Sequence, residues 1–416
     1  MKSKWQTLNV GTLRVQYCGT ISAAHTVLDV LRKNLSDPKI LADKLGEIPE
    51  HYAVIGRTEN MTCAAVDHIR STPIFWRYDG DGSRLSVGSD AHKLRAAEST
   101  MPFDSDALRE VAMTGYVTGP HTLISGLSQL EAGEVRCWKN ETSKTKNAFS
   151  YRHQYSEQNG RHQGSEHEQL EHVIDAAFTR TMNFAGNRPI IVPLSGGLDS
   201  RFVLAKLVEK GYGPLKAISY GPPNNPDAET ARLVANQLGV TWTYLPTSAK
   251  RCRSLLGSKL LNRYWKFADG LSSAPNHQDL LPLLTLSETG DLSPDSVIVN
   301  GQTGDFITGG HIPPVFSTEK TVNTDLLIEE ILTKHYGLWK NLLVPENLSY
   351  ARERIRASLN LAKSPIDISS HNAAALFELW EHQERQAKFI VNGQRIYEFL
   401  GMDWGLPLWD REFVAF

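Results

Sequence analysis

The stretch Ile190-Ile191-Val192-Pro193-Leu194-Ser195-Gly196-Gly197-Leu198-Asp199-Ser200-Arg201 decides how the rest of the chain is read. Its apolar opening is that of a buried parallel strand. Ser-Gly-Gly breaks the run, and Phe202-Val203-Leu204-Ala205-Lys206-Leu207-Val208 resumes with apolar residues at helical spacing. A strand, a tight glycine turn and a helix N-terminus make an anion site, because the turn exposes backbone N–H groups and the helix dipole favours negative charge. Two glycines let a phosphate come close to the backbone. Ser195 and Ser200 add hydroxyl donors, and Asp199 can hold a magnesium ion bridging phosphate oxygens. An ordinary glycine turn between strand and helix is the bland alternative.

The loop lacks the Gly-Lys-Ser/Thr of a Walker A motif. Ser-Gly-Gly-Leu-Asp-Ser after a strand resembles the pyrophosphate loop of the N-type ATP pyrophosphatases, which cleave ATP to AMP and pyrophosphate and adenylate a substrate. The surrounding pattern is α/β. A helix over Leu170 to Met182 precedes the strand Pro189 to Leu194, and further strands are expected at Leu215 to Gly221 and Val240 to Leu245, with a capped helix over 227–239 between them. This alternation predicts a doubly wound sheet with its ligand at the C-terminal strand ends.

Val297-Ile298-Val299-Asn300-Gly301-Gln302-Thr303-Gly304-Asp305-Phe306-Ile307-Thr308-Gly309-Gly310-His311 repeats the theme of strand, glycine-rich turn, carboxylate and Gly-Gly. It resembles Ser-Gly-Glu-Gly-x-Asp-Glu-Leu-Phe-Gly-Gly-Tyr of the glutamine-hydrolysing asparagine synthetases. The resemblance places Asp305 on the family's second magnesium-binding aspartate, beside Asp199. It implies a nucleotide cradle of Leu194, Ser195, Gly196, Gly197, Leu198 and Ser200, an adenine contact at Ile218, Ser219 and Tyr220, and further contacts at Asn300 and Gly301. The family glutamate thought to deprotonate the incoming amine is here Gln302, and a neutral amide cannot act as a base. Glu229, Asp269, His277 and His311 are alternative bases. Gly401 to Asp410 resembles the family's Val-Glu-x-Arg-x-Pro-Phe-Leu-Asp, with Gly405 at the arginine. Past this point the family supplies a charge-steadying lysine that the sequence does not show, so a shortened chain and a lost lysine both stay open.

Residues 1–145 read as β-rich. Leu13 to Tyr17, Tyr52 to Gly56, Met61 to Val66, Ile74 to Arg77 and Leu85 to Val87 are expected strands. Asp67 to Trp76, Gly88-Ser89-Asp90, Gly115-Tyr116 and Thr122 to Leu127 followed by Glu131 to Glu134 resemble, in order, the synthetases' N-terminal glutaminase domain. That implies an N-terminal-nucleophile fold of two stacked antiparallel sheets. The glutaminase needs an exposed N-terminal cysteine. This chain opens Met1-Lys2, and Cys18-Gly19-Thr20-Ile21 resembles the family's Cys-Gly-Ile start only if Tyr17 is cut away, so a scaffold without glutaminase activity is expected. Residues 146–168, rich in Asn, Lys, Ser, His and Gln, read as a linker, and His153, His162 and His167 as solvated linker residues rather than a metal cluster. A synthetase domain then fills 169–416.

Composition sets outer bounds. The 416 residues are 41% apolar and 22% charged with net charge −2, suiting two domains or three at most and giving no basic excess for nucleic acid. No apolar run is long enough for a membrane, no signal-peptide core opens the chain, and the cytoplasm is the default compartment. Cys18, Cys63, Cys137 and Cys252 are scattered, so idle or buried thiols are expected rather than a disulfide framework or a cysteine metal site.

Three readings follow. The first is an ATP- and magnesium-dependent ligase that adenylates a small carboxylate and joins it to ammonia or an amine. The variant motifs resemble relatives found with bacterial surface-polysaccharide genes, thought to amidate sugar acids, and Trp265, Trp404, Trp409, His277 and His311 would then line a sugar site. The second is a true asparagine synthetase, and the third a non-catalytic ATP-binding regulatory protein. A homodimer is an expectation that the sequence leaves open.

Overall fold

In the computed structural model, residues 5–79, 82, 84–97, 101–140, 145–152 and 165–416 are described. The first half is built on β1 (Gln6–Val10), β2 (Leu13–Gly19), β3 (Tyr52–Arg57), β4 (Met61–Val66), β5 (Phe75–Tyr78), β6 (Leu85–Gly88), β7 (Leu127–Gln129), β8 (Glu134–Asn140) and β9 (Thr145–Arg152). Six of these form one antiparallel sheet, β1-β2-β3-β4-β8-β9, and three form another, β6-β5-β7. Side chains alternate across a strand. Val54, Cys63 and Ala65 therefore pack under Ala23, Val27, Leu31, Leu41 and Leu45 of the helices Ile21–Asn34 and Pro38–Gly46. Ala53, Ile55, Ala64 and Trp138 face the other way, onto Ile74, Trp76 and Val87 of the smaller sheet. The two-sheet stack implied by the resemblance is thus present, with helices over its outer face.

Two expectations change here. β9 runs into the stretch read as linker and pairs with β8, Cys137 standing opposite Phe149; its polar composition hid the ladder. Of the linker histidines, His153 and His162 lie outside the described residues, whereas His167 falls in the helix Glu166–Ala185. Cys63 and Cys137 are directly opposed on β4 and β8 and are joined as a disulfide. The expectation of four idle thiols is corrected, and sequence spacing gave no cue because the pair is made by strand register. Since disulfides persist in oxidising compartments, the pair bears on the cytoplasmic expectation, which rests on composition alone. Among the described residues no helix is long and apolar enough to cross a membrane. Denatured without reductant, the chain should titrate two thiols, Cys18 and Cys252, and four after reduction.

The second half carries β10 (Ile190–Pro193), β11 (Leu215–Gly221), β12 (Thr241–Pro246), β13 (Val297–Val299), β14 (Thr321–Asn323), β15 (Asp367–Ser369) and β16 (Asp403–Gly405). β12-β11-β10-β13-β16 form an all-parallel sheet, and β14 and β15 a small ribbon. Ile190 and Val192 point into one helical layer and Ile191 into the other, so both faces are covered, as a doubly wound sheet requires. The strand order reverses direction at β10 and β13, which marks the ligand crevice.

The halves are joined by His382–Ile390, a stretch of π-helix continuing the helix Ser370–Glu381. Its Lys388 is fully buried and donates to the carbonyls of Val117 (3.1 Å) and Gly119 (2.6 Å), while Glu384 accepts from the Gly119 N–H at 3.0 Å. Gln386 of the same stretch accepts from the Thr303 hydroxyl beside the second glycine loop.

Candidate active site

The crevice at the β10/β13 reversal is a cavity of about 570 Å³, within the range of small-molecule sites. On one wall, the β10 loop enters the helix Leu198–Glu209, whose N-cap Gly197 supplies no side-chain cap, so its first N–H groups are free to meet an anion. The loop braces itself: the Ser195 N–H donates to Ser200 Oγ and the Gly197 N–H to Ser195 Oγ, each at 3.1 Å.

The second loop, after β13, packs directly on Asp199. Asp199 Oδ2 accepts from the N–H groups of Gly304 (3.0 Å) and Asp305 (3.4 Å). A Cβ on Gly304 would lie 2.6 Å from Asp199 Oδ1, and one on Gly301 2.6 Å from the Ser200 nitrogen. Glycine is required at both positions by this approach, which is what brings the two carboxylates to one place.

Asp305 is held from behind. Its Oδ2 lies 2.9 Å from His311 Nε2, and His311 Nδ1 lies 2.5 Å from Oε1 of the buried Glu381. Burial pushes Glu381 up, but His335, Lys334 and His311 together outweigh it and hold the carboxyl at about 2. Asp199 and Asp305 offer the hard oxygen ligands that magnesium takes, but among the described residues no group of three or more His, Cys, Asp or Glu side chains forms a metal cluster. A magnesium ion here would complete its shell with phosphate oxygens and water, its usual habit, so the residues fit it.

The rest of the lining is rich in amides. Gln302 Oε1 accepts from Gln394 Nε2 at 2.6 Å, Gln394 Oε1 from Asn300 Nδ2 at 2.9 Å, and Asn300 Oδ1 from the Gln302 N–H at 3.2 Å. Beyond them Asp279 accepts hydrogen bonds from the hydroxyls of Tyr220 and Tyr397.

Of the residues singled out from sequence, Ser195, Gly197, Leu198, Asp199, Ser200, Tyr220, Asn300, Gly301, Gln302 and Asp305 line the cavity. Leu194, Gly196, Ile218 and Ser219 do not. The Ile218 carbonyl accepts from the Leu194 N–H at 2.7 Å, and Ser219 Oγ donates to the Leu194 carbonyl and accepts from Trp242. Gly196 packs on Asp227. The alternative bases are placed elsewhere too: Glu229 pairs with Arg232, Asp269 with His92 at 2.8 Å, and His277 rests against Trp265. Trp409 is a core residue between Phe306 and His382. Trp404 borders a separate cavity of about 100 Å³ beside Cys18. Asn276, Gln278, Asp279, Gln394, Ile396 and Tyr397 complete the wall and were missed. Asp279 precedes an apolar helix and reads from sequence as nothing more than a cap.

A family model described as asparagine synthase matches residues 169–416. The chain belongs to the asparagine synthase family. As a member it is a carbon–nitrogen ligase of the ATP-dependent, amide-forming kind. No curated protein is matched by its sequence. Among solved structures it resembles the NMN synthetase of Francisella tularensis (13% identity over 53% of this chain and 95% of that one, TM-score 0.26). It also resembles the glutamine phosphoribosylpyrophosphate amidotransferase of B. subtilis (13% identity, 72% and 64%, TM-score 0.21). A third is the U34-tRNA thiolase NcsA of Methanococcus maripaludis (13% identity, 56% and 78%, TM-score 0.23). Likenesses this distant carry no argument about the site.

The asparagine synthase match begins after the antiparallel half, where Cys18 is the one candidate glutaminase nucleophile. Cys18 sits at the end of β2, not at a chain start. Residues before it pair across the sheet, Gln6 with Tyr17, so cutting after Tyr17 would sever a strand within its ladder. Burial pushes the Cys18 thiol up to about 11, although the Thr72 hydroxyl pulls the other way. Such a thiol is not a nucleophile at neutral pH.

Proposed function

We propose that this chain activates a small carboxylic acid as its adenylate, releasing pyrophosphate from ATP, and passes the acyl group to ammonia or an amine. The observation that carries this reading is the contact of the two glycine loops, in which Asp199 is hydrogen-bonded by the backbone at Asp305. A helix N-terminus, two serines and two carboxylates then converge on one hollow, as a magnesium–pyrophosphate group requires. Bound magnesium would neutralise phosphate charge as the α-phosphorus is attacked. Asp199 and Asp305 would hold it, and the Ser195–Ser200 turn would orient the leaving pyrophosphate.

Gln302 is tied into a ring of amides and takes no proton. The wall it belongs to, with Asn276, Gln278 and Gln394, offers donors and acceptors in pairs, which suits the hydroxyls of a sugar acid. Aspartate is the competing substrate. The test is magnesium-dependent exchange of labelled pyrophosphate into ATP with aspartate, glutamate, glucuronate and galacturonate in turn. Exchange with at least one acid supports the reading, a sugar acid supports the finer form, and no AMP or exchange with any acid of a broad panel refutes it. Glutamine alone should yield no glutamate.

A further inference from the structure

We infer that Asp279, held by the hydroxyls of Tyr220 and Tyr397, forms a subsite for a primary ammonium group in the lining of this cavity. Asp279 is the N-cap of the helix Leu280–Glu288 but makes no capping hydrogen bond with its side chain. An aspartate there ordinarily accepts from the first-turn N–H groups, which is worth about 1 kcal/mol. Here the carboxylate is turned to the cavity instead and held by two tyrosine hydroxyls on two other elements, β11 and the helix Arg395–Phe399.

The chemistry of that environment points to a cation. Burial and the Asp279 charge push both tyrosines up, so they stay neutral donors. Among the described residues no lysine, arginine or histidine pairs with Asp279. It differs in this from Glu381, Asp403 and Asp410, each of which has a cationic partner. A partly sheltered carboxylate with no countercharge gains most from a ligand that carries one. The lining residues near it in sequence or by contact, Tyr220, Asn276, Gln278 and Tyr397, carry no positive charge. A primary ammonium, with three N–H donors, can bond the carboxylate and reach a neighbouring amide oxygen.

The ligase reading supplies two molecules that bring such a group: the amine donor, as ammonium, or the α-ammonium of an amino-acid substrate. The subsite rests on that reading only for which of them uses it.

Two measurements test it. The first needs no acid substrate. Saturation transfer from the protein to methylammonium, observed by NMR at neutral pH, is expected with the wild-type chain and should be lost in Asp279→Asn, while Glu209→Gln, which removes an exposed carboxylate outside the cavity, retains it. No transfer to the wild type, or equal transfer to Asp279→Asn, overturns the subsite. The second uses ammonium chloride and hydroxylamine, the latter uncharged near pH 8, as amine probes in amide formation. Asp279→Asn should lower the preference for ammonium over hydroxylamine by tenfold or more. If instead the KM for aspartate rises tenfold while that preference holds, the acid substrate brings the ammonium, and the subsite stands. A uniform fall in all rates, with both KM values and the preference unchanged, marks a structural role and overturns it. A wild type that binds methylammonium yet exchanges no pyrophosphate refutes the ligase reading without refuting the subsite.

Discussion

Asp199→Ala is expected to lower AMP and pyrophosphate formation about 1000-fold or more, the scale of losing a principal electrostatic group at a reacting phosphate. The residue does two jobs. It is a metal ligand in the proposed reaction, and it accepts the backbone N–H groups of Gly304 and Asp305. Leaving those donors unmet costs about 1–3 kcal/mol, so Ala also loosens the second loop. Asp199→Asn separates the two effects, because its amide oxygen still accepts from the loop but binds magnesium poorly. Asn should restore the melting temperature and not the exchange rate. If Asp199→Ala turns over as fast as the wild type, the pyrophosphate site is not where we put it. Gly304→Ala should phenocopy it, since a Cβ there would press on the Asp199 carboxylate.

The second large effect is on stability. Glu381→Gln removes a fully buried charge from among His311, His335, Lys334 and Arg385. Stripping one partner from such a cluster costs about 3–5 kcal/mol, which in a chain of this length should lower the melting temperature by roughly 5 °C. The pH dependence has a definite sign. Glu381 is held at about 2 against an ordinary 4.5, so its contribution of about 3 kcal/mol is complete above pH 4.5 and is lost as pH falls through 2. The gap in melting temperature between wild type and Glu381→Gln should therefore narrow as pH falls from 4.5 through 2. A gap that does not change between pH 7 and pH 3 would mean that packing, not charge, is what Glu381 supplies.

The two glycine loops of the cavity were legible because each is local: Ser195 to Ser200 follow one apolar strand and Asn300 to Asp305 another, each announced by glycines. The strand–helix alternation behind them gave the parallel sheet for the same reason. The amide wall was not legible, because Asp279, Gln394 and Tyr397 come from separate segments and meet only through tertiary packing. Ile218 and Ser219 lie on the strand expected of them, where the Ile218 carbonyl and the Ser219 hydroxyl bond Leu194 and Trp242. Cys63 and Cys137 lie 74 residues apart, and nothing short of the strand register pairs them.

The buried Lys388 has a mechanical meaning. Its ammonium is plugged into two carbonyls of the antiparallel half while its neighbour Gln386 accepts from Thr303 of the second glycine loop. Swinging the halves apart would break the contacts that Lys388 and its ion-pair partner Glu384 make with the backbone at Val117 and Gly119. The antiparallel half thus braces, through this one helical stretch, the same loop that carries Asp305.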